Sequence, residues 1–174
     1  MILMRKGEAM TVSVDADVPD ARALHLVDLE NLLGESHRLA ECEDVRWAVS
    51  CYCRAADWRT GDLVVVATNP KLMAKICFEL PDGWQKVARW GDDGADRALL
   101  ARAATTFVEH RFHRLVVGSG DWIFAELAED VSRHGGDVWV VATRGHVSKR
   151  LAQSASTLVM LDEAEMATQF DPTG

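Results

Sequence analysis

Three short stretches carry acids in places where chemistry could be done. Leu24–Leu32 is an apolar run that climbs to Asp28, with Glu30 and Asn31 close behind it. Gly94-Ala95-Asp96 and Ser119-Gly120-Asp121 follow later in the chain. Three carboxylates brought together without partners would repel and raise one another's pKa. A hard divalent cation removes that conflict, and oxygen-only ligands suit Mg²⁺ or Mn²⁺ rather than zinc. Such a cation polarises a phosphoryl oxygen and lowers the pKa of a bound water. Each acid also has a plainer reading. Asp28 can simply end a buried strand, Asp96 can be a first-turn acid favoured by the helix dipole, and Asp121 can cap the helix that follows it.

The elements that must position these acids alternate between strand and helix. Strands are read at about Leu24–Leu29, Leu63–Ala67, Leu115–Gly118, Asp137–Ala142 and Thr157–Leu161, with an edge strand over Trp84–Trp90. Helices are read from Glu43 to about Asp57, Pro70 to about Leu80, Ala95 to about Arg111, Trp122–His134 and Gly145–Ser154, and a short one over Asp162–Gln169. The alternation predicts a mostly parallel sheet with helices on both faces, a three-layer α/β/α sandwich. In such a sheet Asp28 and Asp121 stand at strand ends on one edge, where ligands bind. Asp96 shares the face of its helix with Leu99, Leu100, Ala103 and Phe107, so it is expected to face inward and to need a partner.

Residues 1–22 lack periodicity and read as a flexible arm, with Thr11–Val14 a candidate short strand; 23–170 read as one domain. The 174 residues suffice for one sizeable core. A net charge of −8 argues against a general nucleic-acid-coating role but leaves room for carboxylates that hold a cation for a phosphate. No signal peptide or membrane span is read, so the expected compartment is the cytoplasm. Cys42, Cys51, Cys53 and Cys77 form no complete zinc pattern and are expected to be free thiols.

Asp28-x-Glu30-Asn31, Gly94-Ala95-Asp96-x-Ala98-Leu99 and Val117-Gly118-Ser119-Gly120-Asp121 resemble, in order and spacing, the three signatures of NYN domains in the PIN-like nuclease superfamily. The resemblance runs from about Ala23 to Leu161. It implies a PIN-like fold and a Mg²⁺- or Mn²⁺-dependent ribonuclease acting on single-stranded or structured RNA. Carried over, Asp28, Asp96 and Asp121 would hold the metal and carry catalysis. Asn31 would orient a ligand or a water, Ser119 would hold the turn or touch a phosphate, and Asp93 would support from behind. Glu30 ranks lower, because a continuing strand would point it to the other face from Asp28. The third motif departs from the family: Ile123 stands where a second acid is usual, and Arg102 lies near another such place. Isoleucine supplies no ligand and favours packing against Leu127.

Arg144, His146, Lys149 and Arg150 follow a strand on the acid-bearing edge and could contact an RNA backbone, Arg144 and Lys149 foremost. Of six tryptophans, Trp122 is placed to stack on a base; Trp47, Trp58, Trp84, Trp90 and Trp139 are expected to pack. A metal-poor module that binds RNA or a protein without cutting is the alternative, favoured by Ile123. A phosphatase with Asp28 as nucleophile fits less well, because Glu30 only half supplies its second acid. The expected partners are RNA, with no membrane, and a homodimer is left open.

Overall fold

The computed structural model describes residues 2–5, 22–34, 40–106 and 108–161. Thr11–Val14, Phe107 and Asp162–Gln169 lie outside them. The strands are β1 (Ile2–Arg5), β2 (Ala23–Asp28), β3 (Leu63–Thr68), β4 (Gln85–Ala88), β5 (Arg114–Gly118), β6 (Asp137–Thr143) and β7 (Thr157–Leu161). The helices are α1 (Leu29–Leu33), α2 (Cys42–Ala55), α3 (Pro70–Ile76), α4 (Gly94–Thr106), α5 (Val108–Arg111), α6 (Ala125–Arg133) and α7 (Lys149–Ser154), with a 3₁₀ turn at Trp122–Phe124. The sheet order is β1-β7-β6-β5-β2-β3-β4. The six strands β2 to β7 run parallel, and β1 joins the edge antiparallel to β7. This is the expected three-layer α/β/α sandwich.

Two expectations are corrected. The arm over 1–22 is not irregular throughout, because Ile2–Arg5 pairs with Thr157–Met160. The first strand does not continue through Leu29. Asp28 caps a one-turn helix in which Leu29, Leu32 and Leu33 are buried. A strand buried on both faces hides both periodicities, so the apolar run read as one element where there are two.

Alternation along β2 sorts its side chains by face. Leu24 and Leu26 join the core beneath α4 and α6, together with Leu99, Val117 and Phe124. Val27 joins the opposite core, with Val45, Val49, Tyr52 and Ile76 of α2 and α3. By the same period of two, Asp28 falls on the α4 face and His25 on the α2 face. The chain crosses from one side of β2 to the other between β4 and β5, so the crevice beyond the ends of β2 and β5 is the topological switch point of the sheet. Among the described residues no helix is long and apolar enough to cross a membrane.

His25 is fully buried and hydrogen-bonded at both ring nitrogens. Nδ1 lies 2.9 Å from the Tyr52 hydroxyl and Nε2 lies 3.3 Å from Asp62 Oδ2. Burial raises the Asp62 carboxyl, but the hydrogen bonds from His25 and from the Ala23 and Arg59 N–H groups outweigh it and hold the pKa below the ordinary value. An ionised Asp62 makes Nε2 the donor, which leaves Nδ1 to accept from Tyr52. Tyr52→Phe therefore leaves a buried nitrogen without a partner. It should cost about 1–3 kcal/mol of stability in urea unfolding. A loss indistinguishable from zero would mean that His25 carries the other tautomer or finds water.

Candidate functional site

Asp28 and Asp96 meet in one cleft. Asp28, 7% exposed, ends β2 and accepts from the backbone N–H groups of Glu30 (3.0 Å) and Asn31 (3.3 Å). Asp96, 6% exposed, lies in the first turn of α4, the helix that buries Leu99 and Ala103 against the sheet. Its Oδ1 is buried and has no hydrogen-bond partner among the described residues. Both acids line a cleft of about 340 Å³ with Glu30, Asn69, Arg89, Asp92 and Asp93. Burial pushes the Asp28 carboxyl well above its usual range, and the facing charge of Asp96 adds to this against the hydrogen bond from Asn31. Asp96 is pushed up to about 6, by burial first and then by the charge of Asp121. Two buried carboxyls thus face each other with one oxygen unsatisfied. That donor set fits a hard cation, which would relieve both the repulsion and the orphaned oxygen.

Asp121 is electrostatically part of this group, but it does not line the cleft. It caps the 3₁₀ turn, accepting from Ile123 N–H at 3.1 Å, as the plainer sequence reading had it. Among the described residues no cluster of three or more His, Cys, Asp or Glu side chains closes on one point.

Asn31 and Ser119 hold the backbone. Asn31 Oδ1 accepts from Gly120 N–H at 3.0 Å, and the Asn31 carbonyl accepts from Thr143 Oγ1 at 3.0 Å. Ser119 is fully buried, and its Oγ accepts from Asp121 N–H at 3.2 Å. Gly120 is required by close approach. A Cβ there would stand 1.9 Å from the His146 carbonyl oxygen, and Ser148 N–H donates to the Gly120 carbonyl at 2.8 Å. These bonds tie the ends of β2, β5 and β6 together and set Asp121 beside the Asp28–Asp96 pair.

The remaining candidates lie outside the cleft lining. Trp122 is 63% exposed beside Asp121. Ile123 is partly buried against the core under α4 and α6. Arg144 and Lys149 are exposed at the β6–α7 connection, while Arg150 is held by Glu129 through two hydrogen bonds of 2.9 and 3.1 Å.

Among the cleft residues Glu30 was ranked low from the sequence, and Asn69, Arg89 and Asp92 were given no role. Glu30 belongs to α1 rather than to a strand. Its Oε1 accepts from Thr68 Oγ1 (3.0 Å), Asn69 N–H (2.7 Å) and Asn69 Nδ2 (3.0 Å), bridging the ends of β2 and β3. The signal was present: a capping aspartate, leucines at 29, 32 and 33, and a stop at Gly34 together spell a helical turn. Arg89 had no such signal, because a loop residue after an edge strand is placed only by tertiary contacts.

The raised carboxyls make metal-free stability pH-dependent. At Asp96 the folded chain holds a proton that the unfolded chain releases near pH 3.8. This group's contribution to stability therefore falls as pH rises from there towards about 6, and its full cost is present above that. Asp28, also raised, acts in the same direction. Asp96→Asn removes one of the two facing charges. In chelator it should flatten that fall and raise stability at pH 7 by about 1–2 kcal/mol, the linkage energy discounted for partial solvent screening. An unchanged pH slope in urea unfolding would show that the Asp96 carboxyl is not raised in the folded chain.

The fold has a counterpart among solved structures. A crystal structure of a protein of unknown function from Vibrio parahaemolyticus superposes with a TM-score of 0.59 at 17% sequence identity, covering 85% of this chain and 97% of that one. No family model matches the chain, and no curated protein matches it. The likeness therefore extends to the fold alone, an α/β/α sandwich with a parallel sheet.

Proposed function

We propose that this chain is a metal-dependent ribonuclease of NYN type, with Asp28 and Asp96 holding Mg²⁺ or Mn²⁺ and Asp121 completing the acidic group. The observation that carries the reading is the buried Asp28–Asp96 pair at the switch point of the sheet, with both pKa values raised and Asp96 Oδ1 unpartnered. A bound divalent cation would supply Lewis acidity toward a phosphoryl oxygen and an attacking water. The chain's own residues do the rest. The Glu30 and Asn31 N–H groups fix the Asp28 carboxyl, α4 fixes Asp96 by burying its neighbours, and the Asn31–Gly120 bond fixes the turn that presents Asp121. Arg89 brings positive charge to the cleft, Trp122 offers an exposed ring beside Asp121, and Arg144 and Lys149 offer exposed cations along the same edge of the sheet for an RNA backbone. The proposed compartment is the cytoplasm, where the four free thiols stay reduced.

A second reading, an RNA- or protein-binding module without cleavage, is favoured by two observations. Ile123 packs on the core instead of supplying an acid, and Asp121 lies outside the cleft lining.

Labelled single-stranded RNA incubated with Mn²⁺ separates the two. Cleavage should stop with chelator, and Asp96→Asn and Asp121→Asn should each slow it at least about a hundredfold. Mn²⁺ at one hundred times its dissociation constant should stabilise the wild type by about 2.7 kcal/mol, and Asp96→Asn should lose that gain. Equal trace cleavage by wild type and variants would leave the non-cleaving module as the function. A melting temperature indifferent to Mn²⁺ would remove the metal from it.

A further inference from the structure

The loop from Arg89 to Gly94 joins edge strand β4 to the helix that carries Asp96. It presents an indole to which the proposed site gives no role, next to the guanidinium that brings positive charge to the cleft. Arg89 is the single cation among the cleft-lining residues, against the five acids Asp28, Glu30, Asp92, Asp93 and Asp96. Its side chain has no ion-pair partner among the described residues. Trp90 stands between two lining residues, Arg89 and Gly91, and is 64% exposed with no ring partner among the described residues. Packing was expected for Trp90 from the sequence, and the structure instead leaves its indole in solvent.

The backbone beneath these side chains makes one bond to β3 and closes on itself where α4 begins. Arg89 N–H donates to the Thr68 carbonyl at the end of β3, and Gly94 N–H donates to the Gly91 carbonyl at 3.0 Å. Gly94 packs so close that a Cβ there would lie 2.7 Å from the Arg89 carbonyl oxygen. Asp93 adopts a left-handed φ of 54°, uncommon for a residue with a side chain. An indole already exposed beside the cleft needs no displacement from a packed position before it binds a ligand.

We infer that Trp90 and Arg89 receive one nucleotide of a single-stranded RNA at the mouth of the acidic cleft, the base stacked on the indole and its phosphate on the guanidinium. The inference rests on the reading of the cleft as one that takes RNA, and it names the form of RNA. An indole can stack only on a base whose face is free, and in a duplex both faces are covered by neighbouring pairs. The five acids repel a phosphodiester along most of the cleft, so Arg89 sets the place where a phosphate can rest. Stacking tolerates any base, so the contact selects strand form rather than sequence.

The test is fluorescence anisotropy of a labelled single-stranded oligoribonucleotide with the full chain at low ionic strength, in chelator and with Mn²⁺ before cleavage accumulates. Trp90→Leu keeps apolar bulk and removes the π face; it should weaken binding about tenfold or more, while Trp90→Phe should stay within about threefold of wild type. Arg89→Ala should weaken binding and lower the slope of log affinity against log salt by about 0.7. Phe78→Ala, at a 95% exposed ring outside the cleft lining, should change nothing. A duplex of the same sequence should bind equally to wild type and Trp90→Leu. Equal affinity of wild type and Trp90→Leu for the single strand overturns the inference, and so does an equal loss in the leucine and phenylalanine variants. A protein-docking role for Trp90 would appear as the first of these. The ribonuclease reading fails separately: Trp90-dependent binding without Asp96-dependent cleavage leaves the inference standing and removes catalysis. Cleavage with Trp90-independent binding does the reverse.

Discussion

Two carboxyl groups held out of water against each other are the constraint on which the rest of this site depends. Asp28 and Asp96 reach their places by different routes, one at the end of a central strand and one in the first turn of a helix packed across it. Neither place suits an anion. Burial raises both pKa values; the charge of Asp96 adds to it at Asp28, and the charge of Asp121 adds to it at Asp96. One Asp96 oxygen is left without a donor. The apolar neighbours that create this cost, Leu24 and Leu26 on β2 and Leu99 on α4, are core residues that the fold needs in any case. The strain at the site is thus a consequence of building the acids into the core face of the sheet. A hard cation is the partner that would relieve it most directly.

The scaffold around the pair consists of backbone hydrogen bonds between strand ends. Asn31 is central to it. Its side chain holds the turn after β5 and its carbonyl accepts from Thr143 at the end of β6. Glu30, one residue earlier, reaches the other way to Thr68 and Asn69 at the end of β3. One helical turn after Asp28 therefore joins four strand ends, which is why so short an element can fix the relative positions of distant acids. Gly120 belongs to the same scaffold, since only a residue without Cβ allows the chain before α7 to close over the turn.

Electrostatics divides the cleft between its acids and a single guanidinium. A chain of net charge −8 does not attract polyanions as a whole. A phosphate must be drawn by local positive charge, and Arg89 is the side chain in the cleft that offers it. The Arg150–Glu129 pairing shows the contrast: a cation on the same edge of the sheet is neutralised by its neighbour helix.

Much of this was legible in the sequence. Alternating apolar runs and helical stripes determined the α/β class, because period and length of apolar segments follow directly from what each element must bury. The same periods determined that Asp28 ends a strand and that Asp96 lies on the inner face of α4. What the sequence could not determine was which side chains share a space. Glu30 was misplaced because its face depends on where β2 stops, and a strand buried on both sides carries no alternation to mark the stop. Trp90 was expected to pack in the core or at the edge, yet it lies exposed on a loop whose first residue, Arg89, is bonded to Thr68 at the end of β3, a contact between segments far apart in the chain. Asp121 followed the sequence pattern to the right edge of the sheet and close enough to Asp96 to raise it, yet its carboxylate is engaged as the cap of the 3₁₀ turn and does not line the cleft. Periodicity is a local property and orients a residue with respect to the core. Proximity between elements is a product of packing, and only the tertiary structure decided it.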